Sequence, residues 1–107
     1  MTCVCLVNEK STSYITVEPF DKSGAAATPS TLVYQIDCIT TSVNIKAETA
    51  LTPGDSVEIT IPPSENAIVD QANPYETREV TVTAGYGVDD QVIEVLQYRL
   101  MNLSAIT

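Results

Sequence analysis

The chain of 107 residues has no histidine and no tryptophan. Without histidine, a serine or cysteine nucleophile lacks its usual base, and none of the serines occupies a nucleophile-elbow setting. Basic residues are also scarce: Lys10, Lys22, Lys46, Arg78 and Arg99 are scattered singly among 14 acidic residues, for a formal net charge of −9. Nucleic-acid binding wants clustered Lys and Arg, so DNA and RNA are not expected partners. The acidity serves solubility, or attraction to a basic partner surface. No apolar run approaches the roughly 18 residues needed to span a bilayer, so no membrane insertion is expected. Met1 to Lys10 has neither a basic start nor a sustained apolar stretch, which predicts no secretory signal.

Three cysteines, Cys3, Cys5 and Cys38, form no evident disulfide framework. A structural zinc site wants four ligands and there is no histidine to complete the set, so no metal site is predicted within one chain. Cys38 falls in phase with Leu32, Tyr34 and Ile36 and reads as a small buried residue. Cys3 and Cys5 are either reduced thiols on a terminal strand or a contact between copies in an oligomer.

What the chain does have is a two-residue beat. Leu32, Tyr34, Ile36 and Cys38 alternate with Val33, Gln35 and Asp37, the pattern of a half-buried strand. The same alternation marks Tyr14 to Phe20, Val43 with Ile45 and Ala47, and Val57 with Ile59 and Ile61. It returns at Val80, Val82 and Ala84, and again at Leu96, Tyr98 and Leu100. Cys3 to Val7, within a terminal strand or arm over residues 1–10, adds a seventh segment. In the last strand, Val92 to Val95 departs from clean alternation, and a bulge or change of face near Val95 is expected.

Turn chemistry separates these segments. Asp21 to Ser30 is small and polar and broken by Gly24 and Pro29. Pro53, Gly54 and Asp55 make a turn in which Asp55 is expected to bond its local backbone. After Pro62 and Pro63, residues from Ser64 to Val69 can form one helical turn with Ser64 as N-cap. Seven strands in 107 residues, with turns every eight to twelve residues, predict one all-β domain spanning 1–107, a β-sandwich or small barrel, with the sandwich preferred. Tyr75, shortly before the sixth strand, resembles the corner tyrosine of immunoglobulin-like domains, whose hydroxyl bonds back to the main chain. The Cys, Trp, Cys set of that fold is absent, so the expected style is fibronectin-III-like, with antiparallel strands.

Two carboxylate pairs are the candidates for acid/base work or for a cation. Asp89 and Asp90 lie at a predicted hairpin tip, where Asp is a usual turn residue. Glu76 and Glu79 flank Arg78 at a strand entrance and read as a solvated edge guarded by charge. No catalytic, cofactor-binding or metal-ligating residue is predicted, and no enzyme activity is expected.

Four blocks carry a resemblance: Ser30 to Cys38 (STLVYQIDC) running into Thr41 to Ile45, Val57 to Ile68 (VEITIPPSENAI), Asn73 to Ala84 (NPYETREVTVTA) and Tyr98 to Leu103 (YRLMNL). Together they resemble small proteins encoded among the structural genes of tailed bacteriophages, over about Thr12 to Leu103. The resemblance implies an immunoglobulin-like or fibronectin-III-like virion component, assembled in the bacterial cytoplasm in many copies, with other virion proteins as partners. It implies an accessory protein that decorates or cements the capsid or joins head and tail. An adhesion module is the other expectation, reading a host glycan or receptor through Ala84 to Asp90 with Tyr86 as an exposed ring. The Cys3 and Cys5 segment lies outside the resemblance.

Overall fold

The computed structural model describes residues 4–21 and 23–103, with the side chains of residues 4 and 5 left aside. Cys3, and the side chain of Cys5, therefore lie outside the description. The chain is all-β: β1 (Val4–Asn8), β2 (Ser13–Val17), β3 (Thr31–Cys38), β4 (Val43–Leu51), β5 (Val57–Ile61), β6 (Tyr75–Gly87) and β7 (Asp90–Met101). They form a five-stranded sheet in the order β1-β7-β6-β3-β4 and a two-stranded sheet, β2-β5. Among the described residues there is no α-helix.

Alternation dictates the core. Leu32, Tyr34, Ile36 and Cys38 of β3 point inward with Val80, Val82 and Ala84 of β6 and Tyr98 and Leu100 of β7. Val17, Ile59 and Ile61 of the small sheet are buried with them. Fully burying a side chain of this size is worth about 1.5–3 kcal/mol relative to leaving it exposed, so this cluster is the main force holding the two sheets together. β2 ends at Val17, ahead of Pro19, and Phe20 makes only an isolated bridge to Ala26. It is an edge strand, as its proline suggested, although it starts one residue earlier and ends three residues sooner than expected.

Four expectations need correcting. The strands are not all antiparallel, because β1 runs parallel to β7, with Val4 opposite Gln97 and Asn8 opposite Met101. Alternation marks a face but carries no direction, and here the chain crosses to the small sheet right after β1. No bulge occurs near Val95: β6 and β7 keep one register from Tyr75/Met101 to Gly85/Gln91, and the only shift lies between Gly85 and Gly87. Val92, Glu94 and Leu96 therefore stay on the inward side, and Ile93 and Val95 are turned out and exposed. The turn after β5 begins at Pro62, whose carbonyl accepts from the amides of Glu65 and Asn66. Ser64 lies within that turn instead of capping it, since prolines, having no amide hydrogen to satisfy, fit its opening positions. Asp55 accepts from the Thr28 hydroxyl, and so ties its turn to the Asp21–Ser30 loop rather than to its own backbone.

β4 is the other edge of the large sheet and is less regular than β3. Its register with β3 shifts around Ile36, and Val43 and Ala47 are exposed. The Asn44 amide patches the irregularity by donating to the carbonyls of Ile36 and Lys46 and to the Asp37 carboxylate.

Candidate binding surfaces and the polar brace

The parity that buries Val80 also buries what precedes it. Glu76 and Arg78 share the inward face of β6 and are both 0% exposed. This overturns their reading as a solvated edge: the two-residue period runs unbroken from Glu76 to Ala84, and polarity does not interrupt it. Glu79 is on the opposite face, where Gln97 donates to it, so Glu76 and Glu79 do not form a pair.

Glu76 is a hub. Its carboxylate accepts from the amides of Val69 and Asp70, from the Asn73 side chain and from Arg78 at 3.0 Å. Burial pushes the Glu76 carboxyl upward, but the amides of Val69 and Asp70 and the Arg78 and Asn73 donors outweigh it and hold the group below its ordinary value. The Cys38 thiol approaches the same carboxylate at 3.8 Å and is otherwise a packed, unpaired cysteine. Arg78 donates onward to the carbonyls of Glu65 and Ala67 at 2.7 and 2.6 Å. One buried ion pair thus fixes the whole connection between β5 and β6 from both ends.

Asn66 extends this brace. It accepts from the Tyr98 hydroxyl at 2.7 Å and donates to the Ser11 carbonyl and the Ser13 hydroxyl. Burial pushes the Tyr98 hydroxyl up to about 12, with Arg78 pulling the other way. The anchoring tyrosine is therefore Tyr98. Tyr75 is 40% exposed, its ring stacked under the Arg99 guanidinium at 4.3 Å, and it does not form the expected corner. Just past the same end of β7, Asn102 donates to the carbonyls of Gln71 and Asn73.

The hairpin tip also differs from expectation. Tyr86 is half-buried, and its hydroxyl donates to the carbonyls of Phe20 and Ala27, which secures the Asp21–Ser30 loop. The side chain standing clear of the surface is Val88, 94% exposed. Asp89 adopts the left-handed conformation, φ 61°, and with Asp90 serves the turn. Among the described residues no group of three or more Cys, Asp and Glu is placed to hold a metal ion.

The uncommitted surface is apolar and acidic. Leu6 at 69% and Ile93 at 54% exposure stand on the outer face of the large sheet with Val95. Between the edge of the small sheet and the upper half of β7 lies an open trough of about 320 Å³. Ile15 and Phe20 wall it, and Val82, Ala84, Val92 and Leu96 form its floor. It went unpredicted because it depends on how far one sheet overhangs the other. Compared with known proteins, the chain matches no family model, no curated protein and no solved structure.

Proposed function

We propose that the protein is a structural component of a tailed-bacteriophage virion, an accessory module that decorates or cements the capsid or joins head to tail. The carrying observation is the disposition of its polar groups. Glu76, Arg78, Asn66, Tyr98 and Tyr86 are spent on holding turns and loops, while apolar Leu6, Ile93, Val95 and Val88 face outward. A rigid body with exposed apolar strands and an acidic surface suits attachment by shape, repeated over many copies so that weak contacts add through avidity. The strand order supports an immunoglobulin-like or fibronectin-III-like scaffold: β7-β6-β3-β4 facing β2-β5 is similar to the arrangement in which an extra strand joins the G, F and C strands opposite B and E. The phage-like blocks fall on β3, β5 with its following turn, β6 and the end of β7. The partners in this reading are other virion proteins and further copies of the chain; the charge of −9 disfavours nucleic acid.

The second reading, an adhesion module for a host glycan or receptor, is favoured by the projecting Val88 tip. Imaging of particles from a phage deleted for this gene separates the two. Loss of a density feature from head, neck or tail, restored by adding purified protein, is the expected result. Unaltered particles that no longer adsorb to cells reject the structural role in favour of adhesion.

A further inference from the structure

β5 pairs with β2 along one side only: the small sheet has two strands, and no other described residue bonds the main chain along the far edge of Val57–Ile61. An unpaired edge displays a row of main-chain donors and acceptors, a template for strand addition. Folded chains guard such edges with bulges, lysines or prolines. β4 is guarded in this way. Its pairing with β3 slips around Ile36, Lys46 lies within it, and the side chains of Asn44 and Thr49 occupy the carbonyls of Lys46 and Ala47. β5 has no such guard. It keeps one register with β2 from Val57/Val17 to Ile61/Ser13, and Pro62 and Pro63 come only after its end.

The strand is also complementary to itself. Laid antiparallel against a second copy about Ile59, it puts Val57 opposite Ile61 and Glu58 opposite Thr60. Val57, Ile59 and Ile61 stay on the inward face, and Glu58 and Thr60 on the exposed one. Like charges directly opposite one another would oppose the pairing, and this register contains none. Beyond the strand ends, Ser56 comes opposite Pro62 and Asp55 opposite Pro63. The two Glu58 carboxylates become diagonal neighbours roughly 7–8 Å apart, and salt screens them, since the Debye length at physiological ionic strength is about 8 Å. A two-fold pairing of this kind closes at two copies.

We infer that two copies of the chain pair through the β5 edge, joining their small sheets into one four-stranded antiparallel sheet in the order β2-β5-β5-β2. The inference rests on the reading of the chain as a multicopy component. A failed dimer would leave attachment to other virion proteins standing, and particles unaltered by deletion of the gene would leave the dimer standing. Sedimentation equilibrium of the full chain with its thiols reduced, together with residue-resolved amide exchange, tests the pairing. The expected result is a reversible monomer–dimer equilibrium that tightens with added salt, with alternate β5 amides gaining protection as concentration rises. Thr60→Glu sets a glutamate opposite Glu58 twice in each dimer and should weaken it about tenfold. Adding Glu58→Lys to that variant should restore the dimer. Both side chains are exposed, and far-ultraviolet spectra check that the variants fold. A chain that stays monomeric up to about 1 mM overturns the proposal. So does a dimer indifferent to Thr60→Glu, one not restored by Glu58→Lys, one dispersed by salt, or one that protects β4 instead of β5.

Discussion

Arg78 is the residue on which most of the interior depends. A guanidinium with no exposed surface is tolerated because Glu76 and two carbonyls meet it, although its Nε has no partner. Removing one member of a buried pair leaves the other charged and stranded, so Glu76→Gln or Arg78→Met alone is expected to cost about 3–5 kcal/mol, by denaturant titration at neutral pH. Replacing both together should cost clearly less than the sum. The Glu76 carboxyl sits below its ordinary value in the fold, so its stabilisation is fully present above the unfolded-state value and is lost as pH falls through the folded one. The stability gap between wild type and Glu76→Gln should therefore narrow on acidification below about pH 4.3; a gap independent of pH would show that the carboxylate is not the group involved. Tyr98 behaves oppositely. Its raised value means stability present below pH 10 and lost as pH rises toward about 12, a loss that Tyr98→Phe should abolish in alkaline unfolding curves.

At the scale of elements, backbone strain is concentrated in turns. Asp89 holds φ 61° between β6 and β7, a conformation that glycine adopts at lower cost than any residue with a Cβ. Asp89→Gly should leave the fold intact and raise stability by about 0.5–1 kcal/mol, seen as a melting point a few degrees higher. An unchanged or lower melting point would mean that the Asp89 side chain contributes more than its conformation costs. The strands themselves were legible because hydrophobic alternation survives in sequence: β3 and β5 could be read nearly residue by residue. Legibility failed wherever a face had to be assigned without hydrophobicity. Glu76 and Arg78 were in phase with Val80 all along, yet their charge argued for solvent. At Ile93 and Val95 the reverse happened, since two apolar side chains on the outer face imitate a broken rhythm. The hydrogen bonds of Asn66 and Tyr98 join residues 32 apart, and no local pattern encodes such a partner.

For the whole molecule, the large sheet is stitched from the two ends of the chain: Val4 pairs with Gln97, and the Glu9 carboxylate accepts from the Leu103 amide. Because β1 and β7 run the same way side by side, the chain enters the fold at one end of their seam and leaves at the other. A force drawing the two ends apart therefore slides one strand along its neighbour and loads their main-chain hydrogen bonds together; a hairpin pulled from adjacent ends would surrender them one at a time. Single-molecule pulling between the termini should register a sharp rupture peak, and deletion of residues 1–8 should abolish it. A low, featureless extension of the intact chain would contradict this. Any tension applied through its two ends thus meets a tie that resists stretch, with the sliding seam of β1 and β7 setting the force at which it yields.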